Sequence, residues 1–228
     1  FDEIYPLNHS NLCQAISMLF EPQRLMGYSR HNGYARHSNW VRMAFRWLGN
    51  RKKTPINLVD FWGMLAKNPY PAHLVNPKAE GKGNGLGIVL SGQNARRSLP
   101  AEYYAKIIPI VFQRLQNLNT LHDKKIYLLG TQKEQKFAEE LLVYLPKTLH
   151  SFVQNLAGKT SFQDLQEILA SLELLLSPDT GTAHFASHLG TPVEGFYLSS
   201  ANVFETGPYG EGHTIWQAYL SCSPCGEF

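Results

Sequence analysis

The sequence is poor in the features that mark disulfide-rich and membrane-spanning proteins. Only three of its 228 residues are cysteine: Cys13 stands alone, and Cys222 and Cys225 form one C-x-x-C pair. Three cysteines are too few for a disulfide framework, which favours a reducing compartment. No apolar run approaches the roughly 18 residues that a transmembrane helix needs, so the sequence predicts no membrane span.

Internal repeats, low-complexity tracts and a secretory signal are also missing. The residues near Phe1 do not combine a charged segment, an apolar segment and a small-residue cleavage site. With 43% hydrophobic and 17% charged residues, the composition is that of a globular chain that buries one large core or two modest ones. We expect the sequence to begin partway through a longer protein, with functional residues upstream.

Charge is distributed unevenly along the chain. Through residue 84 there are 11 Lys and Arg against 5 Asp and Glu, whereas the remainder has 10 against 13. A basic first part indicates an anionic partner, such as a phosphorylated glycan or a phospholipid surface, and charge alone also allows nucleic acid. The two parts are therefore expected to face different partners.

Proline and glycine are concentrated between residues 69 and 87, as is typical of a domain boundary. The predicted organisation is a first domain over residues 1–76, a linker over 77–86 and a second domain over 87–228.

Short apolar runs alternate with longer amphipathic stretches in the second domain. The predicted strands span residues 87–91, 125–130, 151–153, 172–177 and 193–198, and the predicted helices span 100–117, 134–145, 162–171 and 182–189. Strands separated by helices indicate right-handed crossovers and a parallel sheet that is covered on both faces. Because such sheets bind ligands at the carboxyl ends of their strands, the chemistry is expected in the loops after Leu90, Leu129, Val153 and Leu176.

The loop over residues 177–184 is the strongest candidate for a binding site. Its sequence, SPDTGTAH, lies between a predicted buried strand and a predicted helix. Backbone N–H groups at a helix N-terminus, together with the helix dipole, favour phosphate binding. An alternative interpretation is that Asp179 or Thr180 only caps the helix and that His184 is a half-buried histidine without a ligand.

Four stretches together resemble one known family. The sequence DTGTAHFA at 179–186 and LGTPV at 189–193 is similar to the signature of the ADP-heptose:lipopolysaccharide heptosyltransferases, glycosyltransferase family 9. NLAGKTS at 155–161 and TGPYG at 206–210 agree with two further family segments. The resemblance is specific only in this combination, and it covers roughly residues 87–225.

The resemblance implies an α/β fold of the GT-B type. A Rossmann-like parallel-sheet domain would bind the nucleotide-sugar donor, preceded by part of a second Rossmann-like, acceptor-side domain. The implied reaction is metal-independent, inverting transfer of a heptosyl or related residue from an ADP-sugar to a lipopolysaccharide core acceptor, with no cofactor. The implied donor-binding residues are Gly92, Gln93, Arg97, Glu134, Thr160, Asp179, Thr180, Gly181 and His184.

The resemblance also suggests individual roles. Arg97 matches a family position usually occupied by lysine and placed against phosphate; the alternative is a solvated basic pair, Arg96 and Arg97, at a helix start. Glu134 matches a position that reaches the ribose, or is a favourable first-turn carboxylate. Thr160 matches a position whose backbone meets the adenine, or is a helix cap.

One expected catalytic group is absent. The general base of these enzymes is an aspartate in a Gly-Asp loop near the start of the first domain, and residues 1–84 contain no such loop. The catalytic residue is therefore unassigned, and this chain by itself is expected to be badly impaired. Two alternatives remain open: another GT-B nucleotide-sugar enzyme resembling a 2-epimerase, and a catalytically silent nucleotide-sugar-binding module.

The implied partners are an ADP-sugar donor and a phosphorylated, lipid-linked glycan acceptor, with no nucleic acid. A basic, aromatic segment over residues 28–53 suggests peripheral contact with an anionic bilayer, which suits an enzyme with such an acceptor. The resemblance implies a cytoplasmic protein, for which that bilayer would be the inner face of the inner membrane. Its helical stripe comprises Trp40, Val41, Ala44, Phe45 and Leu48. The alternative is that this stripe packs into its own domain.

Cys222 and Cys225 provide half of a zinc or cluster site, which two further ligands would have to complete. Two free thiols are the alternative interpretation.

Overall fold

The computed structural model describes residues 2–8, 10–32, 34–49, 55–92, 95–118, 124–217 and 220–225. The chain divides into two compact units, Phe1–Pro71 and Ala72–Phe228.

The first unit combines short helices with a two-stranded antiparallel sheet. Its elements are α1 (Asn11–Ser17), β1 (Tyr28–His31), β2 (Tyr34–His37), α2 (Asn39–Leu48) and α3 (Leu58–Gly63). A single parallel bridge joins Ile4 to Leu25. The assignment of this unit as part of a second Rossmann-like, acceptor-side domain stays a prediction.

The described residues of the apolar stripe of α2 pack inward. Val41 and Ala44 are buried, and the indole N–H of the half-buried Trp40 donates to the carbonyl of Phe61 at 2.7 Å. The side chains of Phe45 and Leu48 lie outside the described part of the structure. The arrangement of Trp40, Val41 and Ala44 agrees with the interpretation that the stripe serves the core of its own unit. Among the described helices, none has both the length and the hydropathy needed to cross a bilayer.

The second unit alternates strands with helices. Its strands are β3 (Gly85–Val89), β4 (Lys125–Leu129), β5 (Val153–Asn155), β6 (Leu174–Pro178), β7 (Val193–Tyr197) and β8 (Thr214–Gln217). Its helices are α4 (Ala72–Val75), α5 (Ala101–Leu118), α6 (Gln135–Tyr144), α7 (Phe162–Ser171), α8 (Gly181–His188) and α9 (Val203–Thr206).

All six strands of this sheet run parallel in the order β5-β4-β3-β6-β7-β8. This is the doubly wound Rossmann order, in which winding proceeds outward in both directions from the first and fourth strands. The predicted α/β, Rossmann-like parallel sheet is confirmed. The loops that leave β3 and β6 therefore separate at the switch point and open a crevice there.

The near-continuous apolar runs of the strands follow from burial on both faces. Ile88 and Leu176 pack in one hydrophobic cluster with residues of α5 and α6. Val89 and Leu175, their neighbours along the same strands, pack in a second cluster with residues of α7 and α8. The alternation of side chains across each strand thus anchors two helices on each face.

The predicted linker, residues 77–86, lies within the second unit. The backbone N–H groups of Ala79, Glu80 and Lys82 donate to the carbonyls of Glu211, Gly190 and Leu172 respectively, each at 2.9 Å. Strand β3 begins at Gly85, still inside the predicted linker range.

The predicted strands differ from the structure in two places. The third strand lies at Val153–Asn155 rather than at 151–153, because a 3-10 helix over Lys147–Phe152 occupies the preceding residues. The edge strand β8 was not predicted. Its side chains alternate between exposed and half-buried, and strand pairing with β7 rather than a strong apolar run defines it.

Candidate functional site

A cleft lies at the switch point of the sheet. It consists of two adjoining compartments of about 510 and 490 Å³ that share Ser91, Thr131, Glu134 and Thr180 in their walls. These four residues come from the loops after β3, β4 and β6. The position agrees with the rule that open parallel sheets bind ligands outside the carboxyl ends of their strands.

The loop after β6 presents the N-terminus of α8 to the smaller compartment. Thr180 is the helix N-cap, and its hydroxyl accepts from the N–H of Ala183 at 3.4 Å. Gly181 begins the helix, and a Cβ built at this position would meet no atom within 4 Å. The fold therefore does not require glycine at residue 181, whereas a ligand that approaches the backbone closely would.

Arg97 brings three loops of the site together. Its Nη1 lies 3.3 Å from Oδ2 of Asp179, and its Nε donates to the hydroxyl of Ser200 at 2.9 Å. The side chain of Arg97 is only 17% exposed. The loops after β3, β6 and β7 thus converge on one guanidinium group, which lines the smaller compartment.

Asp179 is the buried acid of the smaller compartment. Burial raises the pKa of its carboxyl group, while the charges of Arg97 and His184 act in the opposite direction. Nε2 of His184 lies 4.0 Å from Oδ1 of Asp179, and the imidazole is 45% exposed. The compartment therefore offers one guanidinium, one imidazole and a helix N-terminus around a single buried carboxyl group, a set that suits an anionic ligand.

Glu134 stands in the wall that the two compartments share. Its Oε2 accepts from the N–H of Thr131 at 2.7 Å and from the Thr131 hydroxyl at 2.6 Å, completing a capping box. Burial acts to raise the pKa of Glu134, but these hydrogen bonds, with smaller contributions from Ser91 and Lys133, leave the pKa below its ordinary value. Glu134 is therefore both the first-turn carboxylate of the alternative interpretation and an ionised acceptor within the cleft.

Thr160 lines the larger compartment and does not cap α7. The N-cap is Ser161, which forms a capping box with Asp164, so the interpretation of Thr160 as a cap is wrong. The same wall contains Gly158, whose φ of +70° lies in the left-handed region. A side chain at residue 158 would also approach the Cα of Gln132 to 2.8 Å, so this wall requires glycine for its backbone.

The structure gathers most of the predicted donor-binding residues around one cleft. Gly92 and Arg97 line the smaller compartment, and the N–H of Gly92 donates to Ser98 at 2.8 Å. Gln93 lies outside the described residues. The other six predicted residues line one or both compartments: Glu134, Thr160, Asp179, Thr180, Gly181 and His184.

Sequence reasoning missed two residues beside the cleft. Ser200 follows Ser199, whose φ of 58° turns the chain after β7 toward Arg97. The strand-end rule would have pointed to this loop had it been applied to the fifth predicted strand. Thr206 lines the smaller compartment and contributes a hydrogen bond to Asp179. It belongs to the TGPYG segment at 206–210 that contributed to the family resemblance.

Metal-ligating residues are not clustered in the described parts of the chain: no group of three or more His, Cys, Asp and Glu residues there could hold an ion. Cys222 is exposed, Cys225 is half-buried, and neither forms a disulfide.

The comparison with solved structures shows the same fold. The structure of E. coli ADP-heptose lipopolysaccharide heptosyltransferase II superposes with a TM-score of 0.51 at 18% identity, covering 60% of this chain and 39% of that chain. The structure of E. coli heptosyltransferase WaaC with ADP superposes with a TM-score of 0.50 at 18% identity, covering 68% of this chain and 47% of that chain.

Two relatives from Haemophilus influenzae match part of the sequence. The lipopolysaccharide core heptosyltransferase OpsX is 32% identical over 101 residues, which cover 44% of this chain and 29% of OpsX. Lipooligosaccharide heptosyltransferase 2 is 31% identical over 72 residues, which cover 32% of this chain and 21% of that protein. The matched region thus spans less than a third of the length of either relative.

The family assignment depends on a longer match. Residues 75–227 fit the sequence profile of glycosyltransferase family 9 (heptosyltransferase). This match covers most of the chain and includes all six strands of the parallel sheet. The same residues build the cleft around Arg97 and Asp179. The resemblance inferred from the motifs is confirmed, and the chain belongs to glycosyltransferase family 9.

Proposed function

We propose that the second unit is the donor-binding part of a glycosyltransferase that takes a heptosyl or related residue from an ADP-sugar. The acceptor is a hydroxyl group of a lipopolysaccharide core, and the first unit is part of the domain that binds the acceptor. The single observation that carries the proposal is the convergence of Arg97, Asp179 and the N-terminus of α8 on one compartment of the switch-point cleft. The names of the family and of OpsX agree with a heptosyl group and a lipopolysaccharide core acceptor, and the name of the E. coli enzyme of known structure agrees with ADP-heptose as donor.

The two compartments suit the two ends of a nucleotide diphosphate. The larger one has apolar side chains in its walls, among them Val89, Leu129 and Leu165, and accommodates a base. The smaller one holds Arg97 and His184 and accommodates the diphosphate and sugar. Glu134 stands between them as an acceptor for ribose hydroxyl groups. E. coli WaaC, whose structure was solved with ADP, shares the fold.

In the proposed reaction, the acceptor oxygen attacks the anomeric carbon from the face opposite the diphosphate. The new glycosidic bond forms as the bond to the diphosphate oxygen breaks, which inverts the anomeric centre. Arg97, together with backbone N–H groups at Gly181 and Thr182, stabilises the negative charge that develops on the leaving group. A general base takes the proton of the acceptor hydroxyl group. No residue of this chain is assigned that role.

Calorimetric titration with ADP, ADP-heptose and UDP tests this function. We expect ADP and ADP-heptose to bind more tightly than UDP, because adenine covers more of the apolar wall of the larger compartment than uracil does, whereas the two phosphates are common to all three ligands. At 100 times its dissociation constant, a ligand should stabilise the protein by about 2.7 kcal/mol, which a thermal melt detects. Tighter binding of UDP would favour the 2-epimerase-like alternative. Binding of ADP without turnover would favour a silent module.

We further propose that α2 contacts an anionic membrane surface from the cytoplasmic side. Its Arg42 and Arg46 are exposed, and Trp47 is 44% exposed, although Val41 and Ala44 face inward. A basic surface with an exposed tryptophan suits phosphorylated lipid headgroups.

Vesicles that contain anionic phospholipid should therefore sediment the protein at low salt and release it as salt screens the charges. Replacing both Arg42 and Arg46 with glutamine should reduce the bound fraction by roughly half or more, since each basic residue contributes about 1 kcal/mol. Neutral vesicles are the control. Absence of binding to anionic vesicles at low salt would contradict this proposal and leave the donor site unaffected.

A further inference from the structure

An exposed aromatic ring stands at the rim of the larger compartment. Phe162 is the first residue of α7, is 72% exposed and lines this compartment. Its ring stacks on that of Phe185 in α8, with centroids 4.9 Å apart and an interplanar angle of 12°. A large apolar side chain is ordinarily buried, so the fold leaves in water a surface that a ligand could cover.

The position of the ring is set by the elements around it. Ser161 and Asp164 cap the first turn of α7, which holds the backbone of Phe162 in place. Phe185 supports one side of the ring. A ring held in this way loses little conformational freedom when a ligand stacks on it.

The rest of the compartment matches a flat apolar ligand. Val89, Leu129 and Leu165 contribute aliphatic walls, and Gly158 brings the backbone close to the cavity. Arg97, Asp179 and His184 line the other compartment instead, and the charged Glu134 stands in the wall that the two compartments share. A planar heterocycle attached to a diphosphate would therefore leave its charges in the smaller compartment and bring its ring toward Phe162.

We infer that Phe162 is a specificity-determining residue that stacks on the nucleobase of the donor and favours purines over pyrimidines. The inference rests on the proposed function, since it assigns a contact within the same cleft. A purine offers a larger π-face than a pyrimidine, and stacking of a base on an aromatic side chain strengthens with the overlapping area. Base selection is thus assigned in part to a side chain outside the family motifs at 179–186 and 189–193.

The experiment compares ADP and UDP, which differ in the base, with inorganic diphosphate, which has none. Phe162→Leu keeps an apolar side chain but removes the planar ring. We expect it to weaken ADP about fivefold to tenfold, to leave inorganic diphosphate unchanged, and to narrow the preference for ADP over UDP. Phe162→Trp should restore ADP affinity to at least the wild-type value. Calorimetry with the full chain measures the affinities of the wild type and of both variants for ADP, UDP and inorganic diphosphate.

Phe204→Leu is the matched control, because it makes the same substitution at a phenylalanine that is 46% exposed in α9 and is not in the lining of either compartment. It should leave every affinity unchanged. Equal weakening of ADP and diphosphate by Phe162→Leu would show a general distortion and would overturn the inference, as would unchanged ADP affinity. A wild-type chain that binds no nucleotide would instead overturn the proposed function.

Discussion

Replacing Arg97 with alanine should weaken ADP binding about 30-fold or more. Its guanidinium lines the smaller compartment, where the proposed diphosphate lies, and it is only 17% exposed. A hydrogen bond to a charged group contributes about 1.5–3 kcal/mol, and partial burial limits its screening by solvent. Calorimetric titration of the variant with ADP measures the loss.

Arg96→Ala is the matched control for this prediction. Arg96 is the preceding residue in the same 3-10 helix, and its side chain is exposed. Replacing Arg96 with alanine changes the net charge of the protein by the same amount as Arg97→Ala does. We expect at most about a threefold loss of ADP affinity, since an exposed charge acts only over long range. Equal losses in the two variants would show that the effect is general electrostatic attraction and not a contact.

The fold itself depends on Arg97 as the partner of Asp179. Removing one member of a buried ion pair leaves the other charge uncompensated, so Arg97→Ala should also lower the melting temperature. Arg97→Lys separates the two effects, because lysine keeps the charge beside Asp179 but lacks the planar fork that also reaches Ser200. The Arg97→Lys variant should have a melting temperature close to that of the wild type. Its affinity for ADP should lie between the affinities of the wild type and of the Arg97→Ala variant.

Replacing Gly181 with alanine should change stability and binding in opposite directions. A methyl group at this position meets no protein atom within 4 Å, and alanine stabilises a helix by about 0.5–1 kcal/mol relative to glycine. The same methyl group points into open space beside the N-terminus of α8, where the proposed diphosphate approaches the backbone. We expect an unchanged or raised melting temperature and a loss of ADP affinity of about 1–3 kcal/mol, the cost of overpacking a fitted contact.

The control for this substitution is Gly63→Ala, at the end of α3 in the first unit. Its added Cβ also meets no atom within 4 Å, and Gly63 belongs to neither compartment. The Gly63 variant should bind ADP as the wild type does. Wild-type affinity in the Gly181 variant would contradict a close approach of ligand to that backbone.

Much of the second unit could be predicted because its local patterns agree with its tertiary packing. Tyr104, Ile108 and Phe112 recur at every fourth position of the helix predicted over residues 100–117, and all three are buried in the cluster between α5 and the sheet. The helix predicted over residues 162–171 is present as α7, and Ser161 and Asp164 form a capping box at its start. Such features depend on residues three or four positions apart, which the sequence displays directly.

The features that prediction missed depend on residues far apart in the chain. Strand β8 is defined by its pairing with β7 and lacks a strong apolar run of its own. Ser200 reaches Arg97 across more than a hundred residues of chain, because the left-handed conformation of Ser199 turns the loop after β7. Neither the pairing of β8 with β7 nor the hydrogen bond between Arg97 and Ser200 leaves a periodic signal in the sequence. Both depend on segments that the fold brings together from distant parts of the chain.

The amino-acid sequence by itself determined the alternation of strands and helices, the parallel sheet and the family, because hydrophobic periodicity and the motif residues are local properties. Only the tertiary structure decided that Arg97 joins Asp179 and Ser200, that Thr160 lines a cavity, and that the ring of Phe162 stacks on Phe185 in water. The physical reason is that a site at a switch point is assembled from the ends of several strands. The distances between those ends are set by the order and register of the strands in the sheet.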